Sequence, residues 1–211
     1  QAQRKDLSGL AKFLDSHYGQ KELAAWARNK FGIELVPEQL EPLEPEQAIE
    51  QIVTQARGAY ERREISYPVE FILDLVFQGA QQDRQWANDQ LIGWVKQRYE
   101  LNWTVDDVGT KSGKDLYRIL ADEAETWLQG GKLQQQVAEK VAQFADDHEA
   151  LRQWFEKRFE IMLTLENLSS DEDLESLVLE QAREAMRSEL TQLERFVLLQ
   201  ILDQAWKDHL Y

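Results

Sequence analysis

Three histidines (His17, His148 and His209) and a surplus of carboxylates are the side chains here that could move protons or bind a metal. No two histidines are close in sequence. None stands in the His-Glu-x-x-His spacing that places two imidazoles on one helix face. Asp146-Asp147-His148-Glu149 has ligand types in a row. An acidic run directly before an apolar-periodic segment is also the composition of a helix first turn, which the macrodipole stabilises. Asp171-Glu172-Asp173 reads the same way, with Ser170 as its cap. Gly109-Thr110-Lys111-Ser112-Gly113-Lys114-Asp115 echoes a phosphate loop, but its glycines are one residue too close. Asp115 also replaces the Ser or Thr, and no strand precedes the loop. No Ser sits in a nucleophile elbow, and no carboxylate pair is set apart to split its pKa values. The chain has 0 Cys, which removes disulfides, thiolate metal sites and a Cys nucleophile, and weakly favours a reducing compartment. The expectation is a chain without catalytic, cofactor-binding or metal-binding residues.

The elements that would position any site are helices. Ala, Leu, Glu, Gln, Lys and Arg dominate the 211 residues, and these are the good helix formers. Apolar residues recur at three and four, as in Leu10, Phe13, Leu14 and Tyr18. With 43% hydrophobic residues, 7 Trp and 8 Phe, the chain can fill a core, which excludes disordered, collagenous and low-complexity classes. A net charge of −15 argues against nucleic-acid binding and against docking on anionic lipid. No stretch approaches a membrane span. The start at Gln1 without Met, and an end at Tyr211 without a helix stop signal, predict a piece of a longer protein.

One arrangement occurs three times: a Leu, a Trp three residues later, and an aromatic five further on. The copies are Leu23, Trp26, Phe31; Leu91, Trp94, Tyr99; and Leu151, Trp154, Phe159. A short alternating stretch follows each: Ile33–Leu35, Leu101–Trp103 and Ile161–Leu163. Next comes a short turn opened by Pro37, by Thr104 or by Thr164, then a second helix. Pro45 takes the N1 place of that helix in the first copy, and Ser112 and Ser170 cap it in the others, with Asp115 and Asp173 three residues on. Down the second helix Ile52, Leu120 and Val178 correspond, as do Ala56, Ala124 and Ala182. The expected fold is all-α: a repeat-like bundle of three helix–short turn–helix units ending in a long helix. The expected segments are 1–66 (first unit), 67–130 (connecting helices and second unit), 131–190 (third unit) and 191–211 (start of the long helix). Pro68 is expected to open a connecting helix at Pro68–Gln82, and Gly130-Gly131 to break the chain before another. The gly- and pro-free stretch from Asp171 is expected to break near Ser188–Thr191. The recurring aromatics read as core. Trp86, Trp103 and Trp127 fall outside the pattern and are the candidates for a partner surface.

The most specific string runs from Leu193 to Leu210, LERFVLLQILDQAWKDHL. It resembles the scaffold helix of the SecA preprotein translocase family, with Glu194, Arg195, Gln200, Asp203, Trp206, Lys207, Asp208, His209 and Leu210 on that family's pattern. The first unit is similar to the family's helical wing: a helix ending in Phe31, the Ile33–Leu35 stretch, a turn at Pro37, then Ala59-Tyr60-Glu61-Arg62-Arg63-Glu64. In the family the wing leads soon into the scaffold helix, whereas here Phe71 to Met186 intervenes, and a wing copied twice more in tandem would account for it. The resemblance implies a non-catalytic wing-and-scaffold segment of a cytoplasmic ATPase held peripherally at the inner membrane. ATP and Mg would belong to motor domains elsewhere in that protein. The implied partners are the other domains of the ATPase, unfolded preprotein and, through the parent, the translocation channel, with no nucleic acid and no membrane insertion. The apolar face of Phe196, Leu199, Leu202, Ala205, Trp206 and Leu210 is too wide for a surface helix and would be covered in the parent. The rival reading is a free-standing α-helical repeat scaffold for protein–protein interaction.

Overall fold

The computed structural model describes residues 15–165 and 174–210. Among these residues there are ten helices and no strand: α1 (Tyr18–Phe31), α2 (Pro37–Leu40), α3 (Pro45–Gly79), α4 (Arg84–Tyr99), α5 (Val105–Gly109), α6 (Gly113–Leu128), α7 (Lys132–Gln143), α8 (His148–Phe159), α9 (Leu174–Met186) and α10 (Ser188–Leu210). The all-α expectation is met. The chain forms two compact units, Gln1–Arg63 and Glu64–Tyr211. The first closes on Ala24, Ala27, Ile33, Leu35, Leu40 and Ile52. The second has a larger core whose fully buried members include Trp127, Phe155, Leu91, Leu120 and Leu151. No described helix is long and apolar enough to cross a membrane.

The helix ends follow local chemistry. Pro37 and Pro45 take the first positions of α2 and α3, where proline's missing N–H costs nothing. Thr104 and Asp107 form a reciprocal capping box on α5. Ser112 caps α6 by accepting from the Asp115 N–H at 3.2 Å, and Asp147 caps α8 by accepting from the Ala150 N–H at 2.9 Å. Gly131 enters α7 at φ 83°. Ser170 and Asp171–Asp173 lie outside the described residues.

Pro68 departs from expectation. It does not open a helix but lies inside α3. Its ring removes the donor for the Glu64 carbonyl, at a cost of about 3 kcal/mol. Pro68 itself is fully buried, and Val69, Ile72, Leu73 and Val76, each at most 4% exposed, follow it into the core. Burying each such side chain returns about 1.5–3 kcal/mol, so packing carries the helix through the proline. The α9–α10 break comes at Arg187, one residue before the expected stretch.

The three helices that carry the repeat Trp, α1, α4 and α8, end alike. Each stops at its aromatic residue, and the next residue turns left-handed: Gly32 at φ 66°, Glu100 at φ 58° and Glu160 at φ 59°. Each of those N–H groups donates to the carbonyl four residues back, at 2.9, 2.9 and 2.8 Å. A side chain in this conformation costs about 1–2 kcal/mol, and Gly removes that cost at a smaller entropic one. Glu160→Gly is therefore expected to stabilise the protein by about 0.5–1 kcal/mol. A urea midpoint that is unchanged or lower would count against it.

Candidate functional site

Two buried arginines stand four residues after a repeat Trp. Arg98 follows Trp94 and Arg158 follows Trp154, with 9% and 8% exposure. Arg98 Nη1 donates to the Ala185 carbonyl at 2.9 Å, in the last turn of α9. Its Nη2 pairs with Glu189 just beyond, while the guanidinium lies 5.3 Å from the Trp94 ring centre. Trp94 Nε1 donates to the same Glu189 carboxylate at 3.1 Å.

Arg158 repeats the arrangement one step along. Nη1 donates to the Gln97 carbonyl at 2.5 Å and Nη2 to the Arg98 carbonyl at 3.2 Å, both in the last turn of α4. Nε donates to Gln136 Oε1 at 3.1 Å and lies 3.2 Å from Glu100 Oε1. The guanidinium sits between the Trp127 and Phe159 rings, 5.0 and 4.9 Å from their centres. Burial lowers the Arg158 pKa, and Glu100 partly opposes this. In both cases an arginine takes the last-turn carbonyls of another helix, groups that have no intrahelical donor, and pairs with a glutamate just past that helix end. The sequence signal for this pair was available: Arg holds the same position after Trp in the second and third copies, and Lys30 holds it in the first.

Beside these groups lies a cavity of about 550 Å³, lined among others by Phe71, Leu75, Trp94, Arg98, Phe159 and Glu189. Its buried cations Arg98 and Arg158 are already paired with carboxylates and helix ends, and Asp89 and Glu160 also line it. Burial raises the Tyr99 pKa further from neutrality. Among the described residues no group of three or more His, Asp or Glu side chains could hold a metal.

The sequence candidates divide in the structure. Trp127 is 1% exposed and is corrected from a partner surface to the core. Its Nε1 donates to Glu123 at 3.0 Å, and Lys132 Nζ stands 4.6 Å from its ring centre. Trp86 is 39% exposed and packs over Gly79, where an added Cβ would come within 2.2 Å of its ring. Trp103 is half-buried beneath Lys111, 5.5 Å from its ring centre. Trp26 and Phe31, read as core, are 46% and 43% exposed; the buried residues of α1 are Ala24 and Ala27 instead.

On α10, Glu194 accepts from Arg187 at 2.9 Å, and Arg187 also reaches Glu64 at 2.6 Å. Lys207 pairs with Asp203 at 2.6 Å, and the Trp206 and His209 rings stand 6.2 Å apart. Arg195, Gln200, Asp203, Trp206, Lys207 and His209 are all exposed. So are Phe196, Leu199, Leu202 and Leu210.

Gly109–Asp115 is a helix end followed by a cap. Ser112 Oγ donates to Asp115 Oδ2 at 2.7 Å, and that bond is the main cause holding the Asp115 carboxyl below 3.8. A depressed folded-state pKa stabilises the fold above the unfolded value, and that stability is lost as pH falls through the folded one. The Asp115 carboxyl resonance is therefore expected to titrate below 3.8, and in Ser112→Ala to move up towards it. A midpoint at or above 3.8 in the native chain would contradict the assignment.

Over its full length the chain is 29% identical to "Protein translocase subunit SecA 1" of Rhodopirellula baltica, an alignment covering 100% of this chain and 18% of the relative. The chain is similar to SecA from end to end. The match takes in Phe71–Met186 as well as the Leu193–Leu210 string of α10. The chain spans about a fifth of the length of that SecA relative. No family model matches the chain, and no solved structure does.

Proposed function

We propose that this chain is a non-catalytic wing-and-scaffold segment of a SecA-type, ATP-driven preprotein translocase. It would help frame the clamp around unfolded preprotein and couple motor movement to export. The observation that carries this reading is the similarity to SecA 1 along the entire chain. The Leu193–Leu210 string supports the scaffold part, and the helix–turn–helix order of the first unit supports the wing. ATP and Mg would be held by motor domains elsewhere in the longer protein, at the cytoplasmic side of the membrane. The tandem tripling of the wing unit draws support from three Trp–aromatic pairs in edge-to-face contact. Trp26–Phe31, Trp94–Tyr99 and Trp154–Phe159 lie at 5.3, 5.4 and 5.9 Å, all near perpendicular.

The same three pairs also favour a second reading, an α-helical repeat scaffold binding some other partner. Fluorescence anisotropy of a labelled unfolded secretory peptide against the chain, at low and physiological salt, tests the first. Saturable binding that weakens with salt and with Trp86→Ala or Trp103→Ala supports a place in the clamp. Absence of binding at high micromolar protein removes the preprotein contact. A coding sequence upstream without a GxxxxGK[ST] loop after a strand removes the motor and leaves the scaffold reading.

A further inference from the structure

The arginine arrangement occurs twice with its helix end in place and once without. In the second and third copies the cation four residues after Trp takes another helix's last carbonyls and a glutamate just past that end. In the first copy that position is Lys30, which is exposed and forms no ion pair among the described residues. Beside it Trp26 and Phe31 keep the edge-to-face pairing of the other copies, at 5.3 Å and 86°, with 46% and 43% of their surfaces open. The Trp–aromatic pair and a cation four residues after the Trp thus stand in all three copies; the cation lies over Trp94 in the second and over Phe159 and Trp127 in the third, and the helix-end ligand is present in those two.

We infer that the Trp26–Lys30–Phe31 face of α1 is a docking site for the C-terminal turn of an α-helix that carries a carboxylate within three residues of its end. The occupant's chemistry follows from the filled copies. Carbonyls at a helix C-terminus carry partial negative charge and have no donors of their own, so a cation over an aromatic face receives them. In the second copy the following glutamate also accepts the Trp Nε1–H, and Trp26 offers the same donor. Lysine supplies the charge without the planar fork of arginine, which makes this copy the weak, exchangeable one. The inference rests on the internal geometry alone and stands whether or not the chain serves protein export.

The probe is a labelled, N-acetylated peptide with the sequence of residues 174–192, which contains the C-terminal turn of α9 and runs past it to include Glu189. It is titrated by anisotropy against the full 211-residue chain. The Trp94 platform is held by the chain's own α9 at high effective concentration, so the added peptide meets the open Trp26 platform. Expected are saturable binding, loss of about tenfold or more in affinity for Trp26→Ala, and about fivefold weakening for Lys30→Gln or for a peptide carrying Glu189→Gln. Lys30→Arg, which installs the residue of the filled copies, is expected to strengthen binding about threefold. These positions are exposed, so the variants fold, and matching circular dichroism melts verify it. Absence of binding at millimolar peptide, or affinities indifferent to both Lys30 changes, overturns the inference.

Discussion

Arg158→Ala lowers the unfolding free energy by about 3 kcal/mol. The guanidinium is the point where α8, α4 and α7 meet. It donates to the Gln97 and Arg98 carbonyls at the end of α4 and to Gln136 on α7, and it pairs with Glu100. Alanine leaves two helix-end carbonyls without donors, and each unsatisfied buried group costs about 1–3 kcal/mol. It also empties the space between Trp127 and Phe159. Glu100 itself is 49% exposed, so water takes over that charge and limits the total. Arg158→Lys keeps the charge but cannot reach both carbonyls with one ammonium, and it restores less than half of the loss. Urea unfolding followed by far-ultraviolet circular dichroism reads both variants. A loss under about 1 kcal/mol for Arg158→Ala would place the pair among ordinary surface contacts.

Trp127→Ala is expected to cost about 4 kcal/mol, the range for emptying a fully packed aromatic site. The indole is the largest fully buried side chain among the described residues. It is held between Lys132 and Arg158, and its N–H is satisfied by Glu123. Trp127→Phe keeps most of the apolar volume but loses the Glu123 bond and part of the attraction to both cations. That variant should fall about 1.5–2 kcal/mol below the native protein. Loss of secretory-peptide binding in a Trp127→Ala variant that melts like the native chain would contradict a purely structural role.

The helical class and most helix starts were legible because capping is local. Thr104 with Asp107, Ser112 with Asp115, and proline at the first position of α2 and α3 need only their immediate neighbours to act. Pro68 was misjudged because the penalty for proline is local, whereas the apolar run Val69, Ile72, Leu73 and Val76 that outweighs it acts through tertiary burial. Trp127 was misjudged by its failure to fit the repeat. Its own helix held the answer, since Leu116, Leu120, Ala124 and Trp127 fall on one face and all four are buried. Trp26 and Phe31 show the converse: recurrence in sequence predicted shared burial, but the first unit is small and has less to lay over them. Arg98 and Arg158 were passed over because a charged residue in a helix reads as solvated unless its partners are visible, and these partners lie 22 to 91 residues away.

Exposed hydrocarbon on α10 also sets how this chain behaves among its own copies. Phe196, Leu199, Leu202, Trp206 and Leu210 are each more than half open to water, enough to make molecules adhere on contact. What opposes contact is a formal charge of −15, whose repulsion reaches about 30 Å at 0.01 M salt but only about 8 Å at 0.15 M. The chain's colloidal stability therefore runs opposite to that of a protein held together by surface ion pairs. Added salt removes the barrier and leaves the adhesion, so light scattering should grow with ionic strength, and dilution into low salt should disperse the particles.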